Sequence, residues 1–178
     1  MATIENFIKT VINNDIKKMI SPPGLQYLSF GVMASMIEFL GACFDKKDFF
    51  EQGCSGYRFR RAIDELGAFC SYRKYNKKCD QYDLYTNLRC GMAHIGKPDK
   101  EIAFTERNDS EGKDKHLRIC ELGDSTTRLI LVCEDLFSDL STASKELIEK
   151  MKSSSWPGKS HSEEFMNPNL QILGVCEQ

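Results

Sequence analysis

Apolar residues at Ile4, Phe7, Ile8, Val11, Ile12 and Ile16 recur at a spacing near 3.6, which predicts an amphipathic helix over residues 2–20. The run SPPG at 21–24 ends it. Residues 25–44, LQYLSFGVMASMIEFLGACF, are apolar almost all round and predict a central helix buried on several faces. The stretch is long enough for a membrane span. Gln26, two serines, Glu38 and the lack of basic residues on its N-terminal side argue for the protein interior instead. Glu38 then needs a cation, because an unpaired carboxylate is costly to bury. Arg89, flanked by the apolar Leu88 and Met92, is the expected partner.

After a polar connection at 45–56, Phe59, Ile63, Leu66 and Cys70 mark the buried stripe of a third helix starting near Tyr57. A fourth is expected from Asp80 to His94, with Tyr82, Tyr85, Leu88 and Met92 on its apolar side. Gly96 and Pro98 stop it. The period then changes from 3.6 to 2. EIAFTER and KHLRICEL alternate, and NDSEGKD between them reads as a turn, so a β-hairpin is predicted near 101–122. His116 is expected to face outward from it. TRLILV at 127–132 reads as a third strand or as the start of the last helix, which is clear from Glu134 through Leu136, Leu140, Ala143, Leu147 and Met151. Residues 153–178 have the composition of a linker and tail, with Trp156 as the expected anchor and LQILGV as a strand, a docking segment or a loose end. The expected fold is therefore mainly α: a bundle of about five helices over residues 1–152, with a small β-hairpin inserted before the last long helix.

Composition narrows the picture. The chain has 178 residues, 41% hydrophobic and 28% charged, enough for one real core. Eight cysteines without a CxxC pair, and an N-terminus without a signal-peptide core, predict a reducing cytoplasm with thiols mostly buried as small hydrophobes. No phosphate-binding glycine loop and no metal-ligand spacing occurs, so no cofactor or metal is expected. The net charge of −2 gives no overall attraction to nucleic acid. Locally, Arg58, Arg60, Arg61, Arg73, Lys74, Lys77 and Lys78 are opposed only by Asp64 and Glu65 between 57 and 79, leaving +5. Such a run is either a solvated face or a phosphate-attracting surface.

The stretch YTNLRCGMAHIGKP at 85–98 carries Arg89 and His94 with four residues between them. With LYTNLRCGMAHIGKP, the IEFLG helix, YRFRRAIDEL and LFSDLSTASKEL, the chain resembles the HEPN superfamily at the level of pattern over roughly residues 5–152. The resemblance implies an all-α domain that often forms homodimers. Its nuclease members carry an arginine, four to six residues and a histidine, and cleave RNA. Where those members usually place a small polar residue after the arginine, often asparagine or aspartate, this chain has Cys90.

The residue types suit metal-independent cleavage through a 2′,3′-cyclic phosphate. Histidine transfers protons near neutral pH, and arginine grips phosphate with paired donors. Five positions on a regular helix set the two side chains about 140° apart, so sharing a face requires the last turn to unwind at Gly91 or Gly96, or a second copy to complete the pair. Two readings stand. One is an endoribonuclease using Arg89 and His94 at a dimer interface, with the basic cluster holding RNA. The other is a catalytically silent HEPN-like module that binds itself or another protein, with Arg89 as the ion-pair partner of Glu38 or of the nearby Asp83 and His94 as a cap on the helix C-terminus.

Overall fold

The structure, a computed structural model, describes residues 3–21, 24–110, 114–153 and 156; the expected LQILGV element and His161 lie outside them. Thr3 caps the first helix by accepting from the amide of Asn6. The helix runs through α1 (Ile4–Phe7), a π-helical stretch (Ile8–Ile16) and α2 (Lys17–Ile20). Its buried residues are Ile4, Ile8, Ile12 and Ile16, each at most 1% exposed. They recur every four residues, not every 3.6. In an α-helix four residues overshoot a full turn by about 40°, so the stripe would wind off the core. The wider i→i+5 winding of the central stretch corrects this drift and keeps all four isoleucines on one line.

Helix α3 (Gln26–Ala42) is the centre of the bundle and buries Phe30, Met33, Ala34, Ile37 and Leu40. Its other side stays outside: Tyr27, Leu28 and Ser35 are exposed. α4 (Ser55–Glu65) packs on it and buries Arg58, Phe59, Ala62 and Ile63. The backbone turns extended at Leu66, and a tighter 3₁₀ segment follows over Gly67–Tyr75. This break resets the helical phase, so Phe69, Tyr72 and Tyr75 go inward and Cys70, expected on the buried stripe, is exposed.

The fourth predicted helix is shorter than expected. It begins at Leu84, is π-helical over Tyr85–Cys90 and ends as α5 (Gly91–Ile95). Gly96 closes it in the left-handed conformation (φ 68°), the geometry in which glycine carries no Cβ penalty. The last helix, α6 (Cys133–Met151), buries Leu136, Leu140, Ala143, Leu147 and Ile148 on the core. The protein is mainly α with a small β element. Among the described residues no helix is long and apolar enough to cross a membrane.

The sheet has three strands: β1 (Ile102–Thr105), β2 (Arg118–Glu121) and β3 (Thr127–Val132). Its order is β1-β3-β2, with β1 parallel and β2 antiparallel to β3. The expected pairing of 101–107 with 115–122 is therefore replaced by a hairpin of β2 with β3. The cause is burial: Leu129, Ile130, Leu131 and Val132 are all inside, a continuous apolar run suited to a middle strand. β1 is fixed to the bundle by Phe104, whose ring stacks on Phe30 of α3 at 3.8 Å and 4°.

Seven cysteines are described. Cys43, Cys54 and Cys133 are buried, Cys90 and Cys120 half-buried, Cys70 and Cys79 exposed, so the expectation of mostly buried thiols holds for fewer than half. Trp156 is buried with its ring 4.9 Å from Phe44, as the anchor at the end of the bundle.

Candidate functional site around Glu38 and Arg89

Asp83 organises the start of the helix that carries the motif. It is 1% exposed and accepts from the Tyr85 amide and the Thr86 hydroxyl. Arg60 of α4 grips the same carboxylate with both guanidinium arms, at 2.7 Å each. The Arg60 guanidinium also lies 5.3 Å from the centre of the Tyr85 ring. Gly56 leaves the space for that ring: a Cβ there would stand 3.1 Å from it. Tyr85 is thus held between α4 and its own helix before any chemistry is considered.

Arg89 lies in the π-helical stretch and points at α3. Its Nε donates to Glu38 Oε2 at 2.5 Å, with the two side chains 19% and 17% exposed. The expected partnership between the most apolar helix and the motif arginine is present. Beside it, burial raises the Tyr85 phenol above its ordinary pKa, and its hydrogen bond with Cys90 adds to the rise. Arg89 opposes that shift and Glu38 reinforces it. Glu38, Tyr85, Arg89 and Cys90 form one half-buried polar group under α3.

His94 is not part of that group. It sits in the last turn of α5 and is exposed. The final turn does not unwind at Gly91, which stays helical (φ −55°, ψ −53°). Gly91 serves a different end: a Cβ there would meet the Lys97 carbonyl at 2.6 Å, because the chain after Gly96 folds straight back. The Asp99 amide then donates to the Asn87 carbonyl at 2.9 Å. With the turn regular, the helical twist carries His94 away from the direction of Arg89.

The basic cluster separates by burial. Arg58 is 3% exposed, with Nε on Asp45 at 3.1 Å and its remaining donors on the carbonyls of Phe49 and Asp48 at 2.8 and 2.6 Å. Burial tends to raise the Asp45 carboxyl, but the Lys47 amide and the Arg58 guanidinium outweigh it and hold the group below the usual range. Arg60 is taken by Asp83. Arg73 donates to the carbonyls of Ile63 and Asp64 at the end of α4. Arg61 reaches Glu65 at 3.9 Å and the Tyr57 hydroxyl at 3.0 Å. Lys74 lies over the Tyr75 ring, and Lys77 and Lys78 are exposed.

Asp83, the other candidate carboxylate for Arg89, pairs with Arg60 instead, and Asp45 and Tyr85 carry no sequence signal as partners. The Asp83-to-Thr86 spacing is a helix-start signal that sequence carries. The other two are placed only by the packing of α4. Among the described residues no three His, Cys, Asp or Glu side chains gather as a metal site. The chain matches no family model, no curated protein and no solved structure.

Proposed function

We propose that the chain is a catalytically silent HEPN-like binding module in which Arg89 is a structural cation. The observation that carries this reading is the 2.5 Å Arg89–Glu38 pair, which occupies Nε of the arginine while His94 faces solvent elsewhere. Glu38 compensates the guanidinium charge and takes the Nε side of its donor fork, which weakens its grip on a phosphate. Three of the seven basic residues, Arg58, Arg60 and Arg73, are also spent on internal carboxylates and carbonyls. The partner in this reading is a second copy of the chain, docked on the seam of α3 and α5. There Met92 packs on Gly31, and Leu28 and Ile95 stand 55% and 67% exposed.

Purified protein incubated with several RNAs in EDTA, beside His94→Ala, tests the silence. The expected result is no cleavage above the variant's background; cleavage that disappears in His94→Ala overturns it. Light scattering at micromolar concentration tests the pairing. Twice the chain mass of 20.3 kDa is expected, and a single-chain mass at every concentration overturns the choice of partner.

A further inference from the structure

His116, read from the sequence as outward-facing, instead sits in a complete chain of hydrogen bonds linking the sheet to the bundle. The Val132 amide donates to His116 Nδ1 at 2.9 Å. His116 Nε2 meets the Tyr72 hydroxyl at 2.7 Å, and that hydroxyl donates to Asp139 Oδ2 at 2.7 Å. These partners assign the protons. Nδ1 accepts, so the neutral ring carries its hydrogen on Nε2 and gives it to Tyr72, whose own hydrogen goes to Asp139. A second proton on the ring must go to Nδ1, where it faces the N–H of Val132. Two donors would then point at each other in a largely buried place.

We propose that His116 is an acid-sensitive latch, whose protonation detaches residues 114–117 from the β3–α6 junction and from Tyr72. The segment is held under tension. Leu117 has a φ of 57°, a left-handed conformation unfavourable for its branched side chain, whereas Asp114 at 58° is of a residue type that adopts it more readily. It stays in place through the His116 bonds, the Tyr75 hydroxyl on the Leu117 carbonyl at 2.9 Å, and the Leu117 amide on the Ile130 carbonyl at 2.9 Å. Val132 is the last residue of β3 and the next residue begins α6, so losing its bond loosens sheet and helix together.

The charged and titratable surroundings come from every element packed around the ring. The 3₁₀ segment supplies Tyr72, and α6 supplies Asp135 and Asp139. The loop after β1 supplies Arg107, ion-paired to Asp135, and its amide is on Glu134. The segment itself carries Asp114 and Lys115, Arg118 follows at the start of β2, and β3 presents the Val132 backbone amide. Burial pushes the imidazole down to about 4; Asp135 pulls upward and Arg107 pushes down. The released ring has a destination, since Asp139 Oδ2 is 3.8 Å from Nε2. With the attached form titrating below the ordinary 6.5, the penalty is absent above that value. It grows about tenfold per pH unit as pH falls toward 4, to a few-hundred-fold. Asp139, raised by burial, opposes this over the lower part of the window.

The test uses the full ¹⁵N-labelled chain. Hydrogen exchange of the Val132 and Leu117 amides, corrected for intrinsic pH dependence, should show protection at pH 7 that falls at least tenfold by pH 4.5. His116→Gln, which keeps one acceptor and one donor without titrating, should remove that fall. The inference is overturned by protection that persists to pH 4.5 in the natural chain, or by the same fall in His116→Gln. Imidazole ¹⁵N shifts give an arm that needs no variant: a hydrogen on Nδ1 at pH 7 also overturns it.

Discussion

The carbonyl oxygen of Arg58 occupies the place where a side chain on Gly41 would begin: a Cβ on Gly41 would lie 1.7 Å from it. α3 and α4 therefore touch backbone to backbone at this point, and neither flexible tips nor rotamers can relieve an added methyl. Gly41→Ala should cost about 3 kcal/mol or more, at the upper end for overpacking, because the helices must part. Urea unfolding measures it. A loss below about 0.5 kcal/mol would mean that the two helices do not approach as described.

The Glu38–Arg89 pair should behave as a coupled unit. Each single change to alanine removes a charge-assisted hydrogen bond worth about 1.5–3 kcal/mol and strands a half-buried charge. The double change should therefore cost less than the sum, with a coupling of about 1–2 kcal/mol in a double-mutant cycle. Strict additivity would place the two side chains apart in solution.

Arg60→Lys should fail to rescue. The two 2.7 Å bonds to Asp83 use the flat fork of guanidinium, which a single ammonium cannot reproduce, and the cation also faces the Tyr85 ring. A loss of about 1–2 kcal/mol is expected in thermal or urea melts. An unchanged midpoint would reduce the contact to simple charge.

Asp45 sets an acid limit. Its folded carboxyl titrates below its unfolded value, so its stabilisation is fully present above the unfolded pKa near 3.9. It is lost as pH falls through the depressed folded value. The urea midpoint of the natural chain should drop more steeply below about pH 4 than that of Asp45→Asn, which should start less stable at pH 7 because Arg58 loses its counter-charge. Parallel pH curves for the two proteins would contradict this.

What was legible in the sequence depended on range. Glu38 in an apolar helix and Arg89 between Leu88 and Met92 each demanded a buried counter-charge, and few candidates existed, so their meeting followed from electrostatic necessity. The basic cluster was illegible for the opposite reason. Counting charges between 57 and 79 leaves out Asp45 and Asp83, which lie outside that window and neutralise Arg58 and Arg60 in space. Cys70 was misplaced because one extended residue, Leu66, resets the phase of everything after it. Alternation identified 102–105 and 118–121 as strands but carries no information on pairing order. The continuous burial of 129–132 was the available sign of a middle strand. His116 was misread because alternation describes the strand, whereas Tyr72 and Val132 decide where the ring goes.

Because β3 lies between its neighbours, the sheet cannot assemble in the order in which the chain is made. β1 ends at Thr105, and its mate Val132 comes 27 residues later (132 − 105). The short turn between Glu121 and Thr127 lets β2 and β3 meet first, on the microsecond scale of a local hairpin. In the folded protein β1 has two attachments, its ladder with β3 and the stack of Phe104 on Phe30 of α3. The stacked rings thus tie β1 to the helical bundle by a contact that does not pass through the sheet.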